Sequence, residues 1–101
     1  MSALSLTPQQ RQQVRDILRK YLSAKAKAWV FGSRAKGTAK PFSDLDLAID
    51  AGTTLSLAQL ADLRQAFSES DLPWKVDVID LSVTDASFRA LIDEQKIAFD
   101  Y

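Results

Sequence analysis

The run Asp44-Leu45-Asp46-Leu47-Ala48-Ile49-Asp50 alternates with a period of two, placing Leu45, Leu47 and Ile49 on one side and Asp44, Asp46 and Asp50 on the other. Only a strand sends successive side chains to opposite faces, so one face of this run needs an apolar cover while the other meets polar surroundings. The cover must come from within a chain of 101 residues, which has room for one compact domain and one core.

Helices are available to supply it. Thr7-Pro8-Gln9-Gln10 reads as a helix start, with Thr7 as N-cap, Pro8 at the first helical position and Gln10 closing a capping box. Val14, Ile17, Leu18, Tyr21 and Leu22 then recur at helical spacing, predicting a helix from about Pro8 to Leu22. Ser56 caps a second helix with Leu57, Leu60, Leu63, Ala66 and Phe67 inward, and Thr84 or Asp85 opens a third with Phe88, Leu91 and Ile92 inward. Ala28-Trp29-Val30-Phe31 and Trp74 to Asp80 read as further strands. Gly32 to Ser43, which includes Pro41, has no period and is a loop with space for one short helical turn, while Ile97 to Tyr101 forms a closing segment. The expected fold is therefore α/β or α+β, a small mixed sheet with helices packed on it, formed by residues 1–101 as one domain. Trp29 and Trp74 are expected in the core, Asp50 and Asp80 as solvated strand ends, and Tyr101 as a chain end that docks.

Charge and missing residue types narrow the chemistry. Thirteen basic and thirteen acidic residues cancel, so the basic excess that accompanies direct nucleic-acid binding is absent. Without cysteine or histidine there is no thiolate nucleophile, no Ser-His pair and no His- or Cys-ligated metal, which leaves carboxylates as the acid–base and metal-binding groups. No apolar run approaches the roughly 18 residues of a membrane span, and Met1 to Leu6 is too short for a signal sequence. A cytoplasmic protein with no membrane contact is the expectation.

Three features point to phosphoryl chemistry. Gly32-Ser33 follows a strand, where a glycine lets backbone approach a ligand and free N–H groups suit phosphate oxygens; Arg34 and Lys36 add positive charge beside it. Asp44 and Asp46 stand two apart on a strand and so share a face, where like charges call for a cation, and Mg²⁺ accepts one or two carboxylates together with substrate phosphates. Asp77 interrupts the apolar run Val76-Asp77-Val78-Ile79, a placement a strand does not favour without a reason.

The pattern Gly32-Ser33-x10-Asp44-x-Asp46 with a later Val-Asp-Val strand resembles the DNA polymerase β-like nucleotidyltransferase superfamily. Its length and the run Phe31-Gly32-Ser33-Arg34-Ala35-Lys36-Gly37 look like the minimal nucleotidyltransferases, although a common form of the motif carries Arg where Lys36 stands. The resemblance implies a polymerase β-like core in which Gly32 and Ser33 hold a triphosphate with help from Arg34 or Lys36. It implies that Asp44, Asp46 and Asp77 bind two Mg²⁺ ions, Asp77 lying beside the attacking hydroxyl. It further implies ATP as donor, a HEPN-type ribonuclease toxin as partner in a hetero-oligomer, and transfer of AMP to a toxin tyrosine as the antitoxin activity. Two alternatives stay open on the residues alone: an antitoxin or scaffold that acts by contact, and the catalytic subunit of a small-molecule (antibiotic) nucleotidyltransferase.

Overall fold

The computed structural model describes residues 6–40 and 42–101; Met1 to Ser5, on which the reading of a missing signal sequence mostly rests, and Pro41 of the loop lie outside the described residues. In chain order the elements are α1 (Pro8–Tyr21), β1 (Lys27–Phe31), α2 (Ser33–Lys36), β2 (Leu45–Asp50), α3 (Leu57–Ser68), β3 (Val76–Asp80), a 3-10 turn (Leu81–Val83), α4 (Ala86–Gln95) and β4 (Ile97–Phe99). The sheet order is β3-β2-β1-β4. β1 runs antiparallel to β2 and β4, whereas β2 and β3 are parallel, with α3 supplying the crossover that a parallel pair requires. This is the mixed α+β sheet that the alternation in β2 called for.

The helix starts follow from their caps. The Thr7 hydroxyl accepts from the Gln10 N–H at 3.1 Å and the Gln10 side-chain oxygen accepts from the Thr7 N–H at 3.0 Å. Ser56 and Gln59 repeat the same reciprocal pair at 3.0 Å each way, ahead of α3. Asp85, not Thr84, opens α4, accepting from the Phe88 N–H at 3.0 Å. Each cap satisfies donors that the helix leaves unpaired and contributes about 1 kcal/mol.

α1 and α3 cover one face of the sheet. There Val14, Leu18, Leu63 and Phe67 close over Ala28, Val30, Leu45, Leu47, Ile49 and Val78. Burying an aliphatic side chain of this size contributes about 1.5–3 kcal/mol, so this layer dominates the stability of the domain. The opposite face carries a smaller cluster of Phe31, Ala48, Leu81 and Ile92 under α4. Ala48 is fully buried there, so β2 is covered on both sides at its centre.

Four sequence expectations change. Leu57, at the first position of α3, is 88 % exposed, because the inward stripe of that helix begins a turn later. Phe88 and Leu91 of α4 are also exposed, at 39 % and 50 %, and Ile92 is the buried residue of that helix. Trp74 is buried, but Trp29 is only half-covered, with the Lys96 ammonium 4.4 Å from its ring centre. Asp80 is buried, not solvated: its carboxylate accepts from the Leu55 N–H at 2.8 Å, the Ser82 N–H at 2.9 Å and the Ser82 hydroxyl at 2.8 Å. Asp50 is exposed, and Tyr101 docks by donating its hydroxyl to the Ala26 carbonyl at 2.7 Å. Among the described residues no helix is long and apolar enough to cross a membrane.

Candidate active site

β1 ends at Phe31 and the chain turns at Gly32, whose φ of +76° and ψ of −155° lie in a region that essentially only glycine occupies. A side chain is excluded there for a second reason. The Asp46 carboxylate rests against Gly32 where a Cβ would stand. The turn leads into the single helical turn of α2, closed at Gly37 by a left-handed residue (φ +76°, ψ 16°) and by the Thr38 N–H, which donates to the Ser33 carbonyl at 3.0 Å.

Strand register assembles the carboxylates. Phe31 pairs with Asp46 across β1 and β2, and Asp46 pairs with Asp77 across β2 and β3. Adjacent strands lie about 4.8 Å apart, so the two side chains stand next to each other on the same face. Asp44 immediately precedes β2 and is exposed. Pairing of β2 with the β3 segment already begins there, since the Leu45 N–H donates to the Lys75 carbonyl at 2.9 Å. Asp46 is half-buried, and its carboxyl is held above the usual carboxylate range, first by burial and then by the charges of Asp77 and Asp44. Asp77 has an exposed partner in Lys75, at 3.4 Å, an ion pair of small energetic weight.

This electrostatic arrangement fits a divalent cation. Ionised Asp46 is disfavoured first by burial and then by the charges of Asp77 and Asp44, and a positive ion beside it would offset both. Among the described residues no three carboxylates cluster tightly enough to cage a metal by themselves.

The positively charged residues of the motif divide. Lys36 is exposed. Arg34, which the resemblance offers alongside Lys36 as help at the triphosphate, points inward and is 2 % exposed. Its Nε and Nη2 donate to the Ser43 carbonyl at 3.2 and 2.8 Å, and its guanidinium lies 4.5 Å from the centre of the Trp74 ring. Burial lowers its pKa, partly offset by the charge of Asp44. An arginine can hold a carbonyl and stack on an aromatic face at once, so Arg34 ties the loop ahead of Asp44 to the core. The Ser33 hydroxyl, by contrast, has no hydrogen-bond partner among the described residues.

A groove of about 740 Å³ wraps over β3 and has Asp46, Asp77, Phe31, Ile79 and Phe88 in its wall. Phe88 meets Phe31 edge to face with ring centres 6.0 Å apart. A smaller hollow of about 530 Å³ beside Lys27, Trp29, Phe99 and Tyr101 includes none of the motif residues. Sequence reasoning overlooked Gln95, whose side-chain oxygen accepts from the Gly32 N–H at 2.6 Å. A glutamine at a helix end carries no signal of such a distant contact.

Comparison with known proteins gives the family and the fold. Residues 12–99 match the family described as polymerase beta, nucleotidyltransferase. A Haemophilus influenzae (strain Rd) protein named "Probable protein adenylyltransferase MntA" is 53 % identical over 64 residues, covering 63 % of this chain and 56 % of that protein. The chain thus spans little more than half the length of that relative. A crystal structure of a toxin–antitoxin with AMP-PNP superposes with a TM-score of 0.75 at 26 % identity, covering 89 % of this chain and 72 % of the other. A structure named as a candidate minimal nucleotidyltransferase gives a TM-score of 0.67 at 27 % identity and covers 96 % of this chain and 95 % of its own.

Proposed function

The chain belongs to the polymerase β nucleotidyltransferase family, and on that premise we propose that residues 1–101 form a single Mg²⁺-dependent domain that transfers AMP from ATP to a tyrosine of a HEPN ribonuclease toxin and so acts as its antitoxin. The observation that carries the reading is the row Phe31, Asp46, Asp77 across three strands, with the Gly32 turn pressed against Asp46. The protein acceptor and the toxin partner take their support from the names of the relatives: an adenylyltransferase in one case, a toxin–antitoxin with a bound ATP analogue in the other. Because the donor is a nucleoside triphosphate, the proposed compartment is the cytoplasm.

In this reading the Ser33 hydroxyl binds the triphosphate and Lys36 adds charge from the rim. Asp44, Asp46 and Asp77 hold the divalent ions. Bound there, such ions neutralise phosphate charge and stabilise the attacking and leaving oxygens. Asp77, on the edge strand, faces the acceptor and takes the proton of its hydroxyl. The acceptor oxygen forms its bond to the α-phosphorus as the bond to the bridging oxygen breaks, and pyrophosphate leaves with that electron pair. Positioning and charge stabilisation carry the rate, since no residue is modified on the way.

The test uses the partner protein, Mg²⁺ and ATP, GTP, CTP or UTP labelled at the α-phosphate. Label on the partner with wild type and none with Asp44→Ala/Asp46→Ala supports the proposal; absence of label with wild type rejects it. A second reading, neutralisation by contact, is favoured by the exposed Phe88 and Leu91 on α4. It predicts that the double variant still silences the toxin at equal concentration.

A further inference from the structure

The Gly32 turn is difficult to hold in place. Glycine has more backbone freedom than any other residue, and the Asp46 carboxylate occupies the space beside it, so any drift of the turn also disturbs Asp46. α2, which follows, is a single turn and too short to fix its own start. The restraint comes from elsewhere in the chain. The Gly32 N–H donates to the Gln95 side-chain oxygen at 2.6 Å, across 63 residues of sequence. Gln95 is the last residue of α4, and its side-chain nitrogen donates to the Leu91 carbonyl at 3.3 Å, which turns the oxygen toward Gly32. The Gly32 N–H is therefore engaged by a side chain from the far end of the chain. Ile92 is the buried apolar anchor of α4 and Phe88 touches Phe31 from the surface, while this hydrogen bond joins the end of the helix to the turn itself.

We propose that Gln95 is a positioning residue of the nucleotide site: by accepting the Gly32 N–H it holds the Gly32–Ser33 turn against Asp46, so that the Ser33 hydroxyl and the Asp46 carboxylate are aligned before the triphosphate arrives. The proposal rests on the nucleotidyl-transfer reading above. Without Gln95 the turn must be ordered at each binding event, and that cost appears in affinity for the nucleotide. One hydrogen bond of this kind corresponds to a change of about tenfold.

The experiment compares wild type, Gln95→Met, which removes the acceptor at similar length, and Gln95→Glu, which keeps it. Gln95→Asn, too short to reach, replaces the Met variant should that one not fold. Amide exchange at Gly32 is read by NMR, and binding of Mg²⁺·ATP by calorimetry. The expected result is exchange about tenfold faster and a Kd about tenfold higher for Gln95→Met, with the slow Gly32 amide kept in Gln95→Glu. Faster exchange with unchanged affinity would make Gln95 a structural staple and overturn the proposal, as would an unchanged amide. A wild type that binds no Mg²⁺·ATP overturns the functional reading and this proposal with it. A wild type that binds, with Gln95→Met binding equally well, overturns the proposal alone.

Discussion

Gly32→Ala subjects the turn to two separable costs. The backbone, at φ +76° and ψ −155°, lies in a region that costs a residue with a side chain about 1–3 kcal/mol. The new methyl also meets the Asp46 carboxylate, which must leave its place beside the turn. At about 2 kcal/mol, a domain of this size loses roughly 10 °C in melting temperature. Displacement of Asp46 adds a loss of transfer well beyond the unfolded fraction. Gly37→Ala is the control: it shares a φ of +76°, but among the described residues no atom lies within 4 Å of the place its methyl would take, so it carries the backbone cost alone. The assay is thermal melting by circular dichroism paired with initial rates of label transfer below the melting range. Gly37→Ala should melt earlier by up to several degrees and keep its turnover, whereas Gly32→Ala should lose both. Equal turnover in the two variants would refute the idea that Gly32 is required by its contact with Asp46.

Other perturbations follow from the buried polar groups. Arg34→Ala removes two hydrogen bonds to the Ser43 carbonyl and the stacking on Trp74, and should lower unfolding free energy by about 3 kcal/mol in urea titrations; Arg34→Lys should recover little of it. Asp80→Ala leaves the Leu55 and Ser82 N–H groups without their acceptor and should cost about 3 kcal/mol, with turnover of the folded protein unchanged. Burial raises the Tyr101 pKa, so the unfolded chain ionises this hydroxyl first as pH rises. The stability this contributes is complete below the ordinary tyrosine range near pH 10 and declines above it, and Tyr101→Phe should flatten that part of a stability–pH curve.

Local signals in the sequence reached far, and long-range ones did not. The reciprocal caps at Thr7 and Ser56 and the alternation of Leu45, Leu47 and Ile49 depend on neighbours within four residues, and each is found in the structure. Strand alternation predicts a common face for Asp44 and Asp46, whereas the meeting of Asp46 with Asp77 depends on the register of β2 against β3, which no local pattern sets. The same holds for Arg34, a charge beside a glycine-rich turn that is used inside the fold, and for Asp80, whose partner at Leu55 lies 25 residues away. In α4 the spacing of Phe88, Leu91 and Ile92 suggested one buried face, yet the helix rests on the sheet through Ile92. Amphipathic spacing states which residues are apolar and not how much of the stripe a small sheet can cover.

The central claim is most directly tested at Asp77, the carboxylate that register alone brings beside Asp46. Asp77→Asn keeps the shape, removes a charge that opposes ionised Asp46, and gives up only an exposed ion pair with Lys75, so it should fold with a melting temperature no lower than wild type. Single-turnover transfer of labelled AMP to the partner should fall by about 10²–10⁴-fold, the size expected for loss of a general base. Transfer at the wild-type rate by folded Asp77→Asn would contradict the account.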